Sequence, residues 1–447
     1  MPAAFGQESF AFHGTALQGT PKRRDRWKRA VDATGGALGE AVGEMYVRKY
    51  FPPQDKARIE AMAQNLIAAF DRRIDRLDWM APKTKAMAKA KLKTLKVHVG
   101  YPDRFRDYSS LDVVRGDAYG NAARAELFEY RRNLAKLGRS IDRDEWVMTP
   151  QTVNAVNLPV MNAMNFPAAM LQPPYFDPAR PLAMDYGAIG AIIGHEISHS
   201  FDDQGALFDE TGRLHNWWTD ADFGHFQDAA ERLAKQYDAY EPLPGLHVKG
   251  KQTLGENVAD VAGLSTAYDG YRLSLAGKPA PVVEGLTGDQ QFFVSYAQSW
   301  RQKMREPLLR QVIVGDGHAP DEFRAGARTE GPLRPGSGRP PAHWRGARRS
   351  PRKAKARATV TSTSSELTTA ARAGPTRARP ARNARSATTV QTKAMASTGA
   401  QAAGVGGRER PPWQSAHPAK ARAEIWVKWR AAVSAETRAA KRLQRTM

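Results

Sequence analysis

Apolar positions recur with helical spacing over much of the first 325 residues. Residues 27–50 place Ala30, Val31, Leu38, Val42 and Tyr46 at such positions and predict a helix. Residues 54–98 predict two more, broken near Pro82, because proline lacks an N–H and ends a helix. The period is lost over 100–120, which is rich in Gly, Pro and Asp and reads as irregular chain. It returns over 121–137. Segment 151–176 alternates in part between apolar and polar residues, the pattern of short strands, and stops at Pro173-Pro174. A helix is predicted next. Asp185 can cap its start, Ile189, Ile192 and Ile193 form its apolar stripe, and Gly205 suits its exit. Trp217 and Trp218 are placed to pack beneath it. Further helices are predicted over 220–240, 256–276 and 288–306. The fold class is mainly α with a small mixed β-sheet, an α+β arrangement.

The pattern stops after residue 325. Residues 326–447 hold 26 Lys and Arg against 5 Glu and no Asp, so the net charge of +21 arises there; residues 1–325 balance 41 basic against 41 acidic side chains. Arg, Ala, Pro, Gly, Ser and Thr dominate this tail, and Phe and Tyr are absent from it. Such a segment buries too little apolar surface to offset its ordering entropy and is expected to be disordered. Only 418–446 could form a basic helix, with Trp426 and Trp429 on one side. A basic arm for nucleic acid or anionic membrane is one reading of the tail. It lacks the interleaved aromatics of a stacking platform. A shifted reading frame in a GC-rich gene is the favoured reading, and no specific nucleic acid is expected as a partner. The chain has no Cys, which excludes disulfides and thiolate metal sites. No stretch is long and apolar enough for a transmembrane helix, and the first thirty residues lack the apolar centre of a signal peptide.

The predicted helix before Gly205 carries the chemistry. Gly194 to Gly205 reads GHEISHSFDDQG and contains His-Glu-x-x-His as His195, Glu196 and His199. On a helix, residues four apart share a face, so both imidazoles can reach one ion. Glu196 projects beside that face as a candidate general base. This is the zincin arrangement, which keeps three protein ligands and an open position when catalytic. The third ligand should be Glu, Asp or His from another element. Gly255-Glu256-Asn257-Val258-Ala259-Asp260 opens the helix predicted over 256–276 and puts two carboxylates on one face. Glu256 can bind the metal while Asp260 hydrogen-bonds the far nitrogen of a ligand histidine. Spacing alone does not separate this from two solvated acids in a first turn, where the helix dipole favours them.

Taken together, the chain resembles the neprilysin family of zinc metallopeptidases (family M13), which includes endothelin-converting enzymes and bacterial oligopeptidases. The resemblance runs from about Phe12 to Arg324 through ordered blocks such as RWKRAVDATGGALGEAVGEMYVRKYF, WMAPKTKAMAKAKL, NFPAAMLQPPYFD, YGAIGAIIGHEISHSFDDQG and GENVADVAGLSTAYDGY. It implies a thermolysin-like zincin (gluzincin) catalytic domain with part of a helical lid. It implies one Zn2+ per chain on His195, His199 and Glu256, with Glu196 as catalytic base. Asp260 falls on an acid described as a proton donor or as a support behind the ligands, and Asp202 on another supporting carboxylate. Asn154 and Ala155 fall on the pair that bonds the substrate backbone, His318 on the residue that stabilises the oxyanion, and Arg324 on the one that contacts a primed-side carbonyl. One departure is that Val156 and Asn157 stand where the family usually has aromatics.

These features imply a zinc-dependent endopeptidase of oligopeptides, a monomer, with a periplasmic or extracellular location suggested by the resemblance. The expected organisation is a helical region over 1–145, a catalytic domain over 146–325 and the basic tail over 326–447. Family members carry a longer N-terminal section and continue past the Arg324 position, so the chain reads as a fragment. It is expected to bind zinc yet hydrolyse peptides far more slowly than a full-length relative, and to be poorly soluble. The alternatives are a catalytically impaired zinc-binding remnant and a nucleic-acid binder acting through the basic tail.

Overall fold

The computed structural model describes residues 3–326. The basic tail beyond Gly326, with its helix predicted over 418–446, lies outside the described residues.

The chain opens with α1 (Ala3–Ser9), continued by π-helical turns over Phe10–Leu17. The helix predicted over 27–50 is two, α2 (Arg26–Ala37) and α3 (Gly39–Tyr50). The break is at Leu38 (φ −125°, ψ 41°), beside Gly39, which packs closely on Thr149: a Cβ there would lie 2.6 Å from the Thr149 methyl. α4 (Pro53–Asp75) begins with a proline, which is tolerated at a first helical position. It buries Ile59, Met62, Ala63, Leu66 and Ala69, an i, i+3, i+4 stripe. α5 (Pro82–Thr94) starts likewise, and the carboxylate of Asp222 accepts from Ala81 N and Thr84 Oγ1 at its first turn. The predicted helical stretch to residue 98 is cut short, because Lys96–Gly100 forms strand β1. Its Val97 and Val99 alternate with polar residues, a period of two that is too short to stand out beside a long helix.

After an irregular stretch comes α6 (Ala118–Leu134), capped by Asp117 accepting from Gly120 N at 2.8 Å. Strands β2 (Val156–Leu158) and β3 (Ala163–Pro167) complete a three-stranded sheet in the order β1-β3-β2. β3 pairs in parallel with β1 (Val97 opposite Met164) and antiparallel with β2 (Asn157 opposite Met164). β3 is buried along its length, as a central strand should be, and β2 is an edge. β1 lies on the N-terminal side of the boundary expected at 145 and β3 on the other.

The next helix runs through α7 (Leu182–Asp185), π-helical turns over Tyr186–Gly190, and α8 (Ala191–His199). Asp185 is therefore not its cap. Pro181 stands at the start, while Asp185 accepts from Asp177 N at 3.1 Å and from Arg180 Nε at 2.6 Å. α9 (Asp220–Asp238) and α10 (Leu254–Ser274) follow, near their predicted spans. The helix predicted over 288–306 ends early: α11 (Gly288–Ser299) stops before Arg301, and α12 (Glu306–Gly315) restarts around Pro307, which fits only a first turn. α13 (Asp321–Arg324) is the last element. The main core gathers α4, β1, β3, α8, α10 and α11, and includes Trp217 and Trp218.

Candidate metal centre

Two helices make the site by crossing closely. Gly194 of α8 faces Gly263 of α10; a Cβ on Gly263 would lie 2.4 Å from His195 N, and one on Gly194 would lie 2.5 Å from Gly263 O. Only hydrogen at both positions permits this approach. It brings the first turns of α10 beside the last turns of α8.

The imidazoles of His195 and His199 stand edge to face, with their Nε2 atoms 2.9 Å apart. Glu256 Oε2 lies 3.2 Å from the first Nε2, and Oε1 lies 3.6 Å from the second. Each ring is held from behind. His195 Nδ1 donates to Asp260 Oδ1 at 2.8 Å, and His199 Nδ1 donates to Asp202 Oδ2 at 2.6 Å. Asp202 is itself fixed by the amides of Gln204 (2.9 Å) and Gly205 (2.6 Å). A ring that donates through Nδ1 presents a lone pair at Nε2. Two lone pairs and a carboxylate then converge, an arrangement relieved by a shared proton or a cation. Among the described residues this is the group of side chains that could hold a metal ion. The two-His, one-carboxylate donor set matches that of zinc sites with an open position.

The electrostatics agree. Burial would push His195 down, but Asp260 and Glu256 override it and raise the imidazole to about 10. Burial would raise Glu256; hydrogen bonds from His195 and His318 hold it well below the usual carboxylate range. Asp260 is likewise lowered against burial by Arg324 and His195. Glu196 is different: it is buried on α8, and desolvation raises its carboxyl.

The remaining predicted residues divide. His318 reaches the cluster: its Nε2 is 3.1 Å from Glu256 Oε2, and its Nδ1 donates to Asp316 Oδ1 at 2.7 Å. Burial opposes its protonation, yet Asp316 and Glu256 raise it to about 9. Arg324 also arrives, buried, with Nε and Nη2 donating to the two Asp260 oxygens at 2.7 and 2.8 Å and its guanidinium 4.2 Å over Trp300. Its place comes from a small second core in which Phe323 stacks on Tyr240 beside Tyr237, Val248 and Ala319. Asn154 and Ala155 lie just before β2, the first exposed and the second buried.

Three participants escape sequence reasoning. Asp316 orients His318, and its spacing two residues ahead of a histidine was a readable signal. Asn157, noted only as a departure, turns inward from β2 and donates to Glu196 O at 2.7 Å and Ser200 Oγ at 2.8 Å. Lys91, in a lysine-rich stretch of α5, is buried beneath the exit of α8.

A helix bearing His-Glu-x-x-His, crossed by a second that offers a glutamate, defines the thermolysin-like gluzincin class. Family models described as peptidase family M13 match residues 154–330 and 1–102. The chain belongs to that family. It is 33% identical to neprilysin-3 of Drosophila melanogaster over 69% of this chain and 41% of that protein. With the neutral endopeptidase of Lactobacillus helveticus it shares 36% identity over 72% of this chain and 48% of the other. Among solved structures it is similar to the zinc metalloprotease Zmp1 of Mycobacterium tuberculosis in complex with inhibitor, at 48% identity and TM-score 0.69, covering 73% of this chain and 50% of that one. PepO of Lactobacillus rhamnosis is similar at 36% identity and TM-score 0.61, over 69% and 48% of the two chains. The chain thus spans half or less of the length of these relatives. No helix among the described residues is long and apolar enough to cross a membrane.

Proposed function

We propose that the chain carries the catalytic core of a zinc-dependent endopeptidase that hydrolyses peptide bonds in oligopeptides, with one zinc per chain. The observation that carries this reading is the cluster of His195, His199 and Glu256 with a carboxylate behind each histidine. In this reading the three residues hold zinc, and Asp260 and Asp202 fix the tautomer and orientation of the two rings. Zinc, when bound, supplies Lewis-acid polarisation and acidifies water.

The protein's own residues supply the rest. Glu196, raised by burial, takes a proton from water and passes it to the leaving amine. His318, kept protonated by Asp316 and Glu256, stabilises the oxyanion, an effect typically worth about 3 kcal/mol. Asp260 is held ionised by Arg324 and His195, which favours an orienting role over proton donation. Asn154 and Ala155 lead into the edge strand β2, where an extended peptide can add through its backbone. Arg324 contacts a primed-side carbonyl while it anchors Asp260. Residues 146–325 form the peptidase domain, and 1–145 contribute β1 and the helices around it. The family resemblance supports a periplasmic or extracellular location.

Cleavage of an internally quenched, bradykinin-sized peptide by the full chain is the test. The proposal expects hydrolysis that stops on chelation and returns with added zinc. A chain that binds zinc but cleaves nothing at any zinc concentration contradicts it and favours the impaired remnant.

A further inference from the structure

Among the described residues, Lys91 is the buried cation that the reaction outlined above does not use. It comes from α5, far from the ligands in sequence, and its side chain is inaccessible, with the residue 1% exposed. Its Nζ donates to three backbone carbonyls: Ser200 O at 2.6 Å, Gly205 O at 2.7 Å and Phe208 O at 2.7 Å. Three donors on one ammonium meet three acceptors, so its hydrogen-bonding capacity is filled. It makes no salt bridge within the described residues; the carbonyl dipoles and the π-face of Phe201, 5.6 Å away, face its charge, and the carboxylates of Asp202, Asp209 and Glu210 act on it from beyond salt-bridge distance. Burial lowers the ammonium to about 8, so it stays charged at neutral pH.

What those carbonyls belong to decides the role. Ser200 is the C-cap of α8, directly after His199, where helix carbonyls lack partners and the dipole favours a cation. Gly205 and Phe208 close the turn that follows. Asp202 lies inside this loop and accepts from the amide of Gly205, the residue whose carbonyl Lys91 holds. Asp202 in turn holds His199 Nδ1 at 2.6 Å. A chain of short contacts thus runs from Lys91 through the 200–208 turn to Asp202 and the His199 ring.

We infer that Lys91 is a positioning residue for the metal centre: its ammonium pins the 200–208 turn and, through Asp202, sets the ring of His199. The inference rests on the reading of His195, His199 and Glu256 as the zinc ligands. A residue behind a ligand typically changes metal affinity by about 10- to 100-fold when it is replaced.

A double-mutant cycle on zinc affinity tests it, using the full chain and competition with a chromophoric chelator. Lys91→Met and Asp202→Asn should each weaken zinc binding by about 10- to 100-fold, and the double variant should lose no more than the worse single one. Lys91→Ala should regain affinity when ethylammonium is added, and not when ethanol is. Unchanged zinc affinity in Lys91→Met, or losses that add, overturn the inference. So does failure of both Lys91 variants to fold, which assigns the residue to stability of the whole. If the parent chain binds no zinc, the proposed function fails first. If Asp202→Asn weakens zinc and Lys91→Met does not, this inference alone fails.

Discussion

The crossing of α8 with α10 and the segment from Asp316 to Arg324 both deliver side chains to the candidate metal centre, by different means. At the crossing, glycine meets glycine, and the ligand side chains are largely buried and backed by carboxylates. The later segment rests on a small core around Tyr237 and Phe323, on Gln252 and Lys249 holding the carbonyls of Asp316 and Val314, and on the charges it meets at the cluster itself. The His195 side chain is 11% exposed and that of His318 is 44% exposed. The candidate ligand set thus depends on backbone contact, and the segment depends partly on that set. Metal binding should therefore tolerate damage to the segment, whereas damage to the crossing should take both.

The largest effect is expected at the crossing. Gly263→Ala drives a Cβ against His195 N at 2.4 Å and Ala191 O at 2.9 Å, with backbone rather than a flexible side chain in the way. Overpacking commonly costs about 1–3 kcal/mol, and this contact belongs at or above the upper end. Urea unfolding and zinc affinity, measured together, should both fall. Intact zinc binding would break the comparison.

His318→Ala should separate the two regions. Turnover is expected to fall by about 100- to 1,000-fold, the usual loss of an oxyanion donor. Zinc affinity, measured by chelator competition, should stay close to the parent's. A parallel loss of zinc would mean that the segment builds the site rather than completing it.

A smaller effect sharpens the electrostatics. With His195 raised to about 10, the metal-free cluster holds a proton at pH 7.5, and zinc should release at least about one proton on binding. Calorimetry in buffers of different ionisation enthalpy reads this directly. In the metal-free chain that proton stabilises the fold. The contribution is full below the unfolded imidazole value of about 6.5 and is lost as pH rises through about 10. Zinc affinity should rise across the same window.

The smallest effect belongs to Asn157→Ala, which removes the donor to Glu196 O and Ser200 Oγ. About 1 kcal/mol of stability should be lost in equilibrium unfolding, since one carbonyl and one hydroxyl lose a partner.

The same division describes what was legible beforehand. His195, Glu196 and His199 are local in sequence, and a helix carries that spacing directly into geometry. Glu256 and Asp260 share a helical face, but their meeting with the histidines depends on two glycines 69 residues apart, at positions 194 and 263, and no pattern within either helix states it. Strand β1 was hidden because two valines in alternation are a weak signal after a long helix. The restart at Pro307 reflects proline's restriction to a first turn, while the break at Leu38 has no signal in the helical spacing of 27–50. Asp185 looked like a cap because its partner, Arg180, lies outside the helix. Lys91 was invisible among neighbouring lysines, since its burial is decided by carbonyls more than a hundred residues later.

The central claim is that this cluster is a zinc site serving Glu196 as the proton-transfer group. Glu196→Gln in the full chain tests it most directly, with zinc content and peptide cleavage measured on one preparation. The account predicts zinc retained and hydrolysis lost. Hydrolysis that persists in the zinc-loaded variant would contradict it.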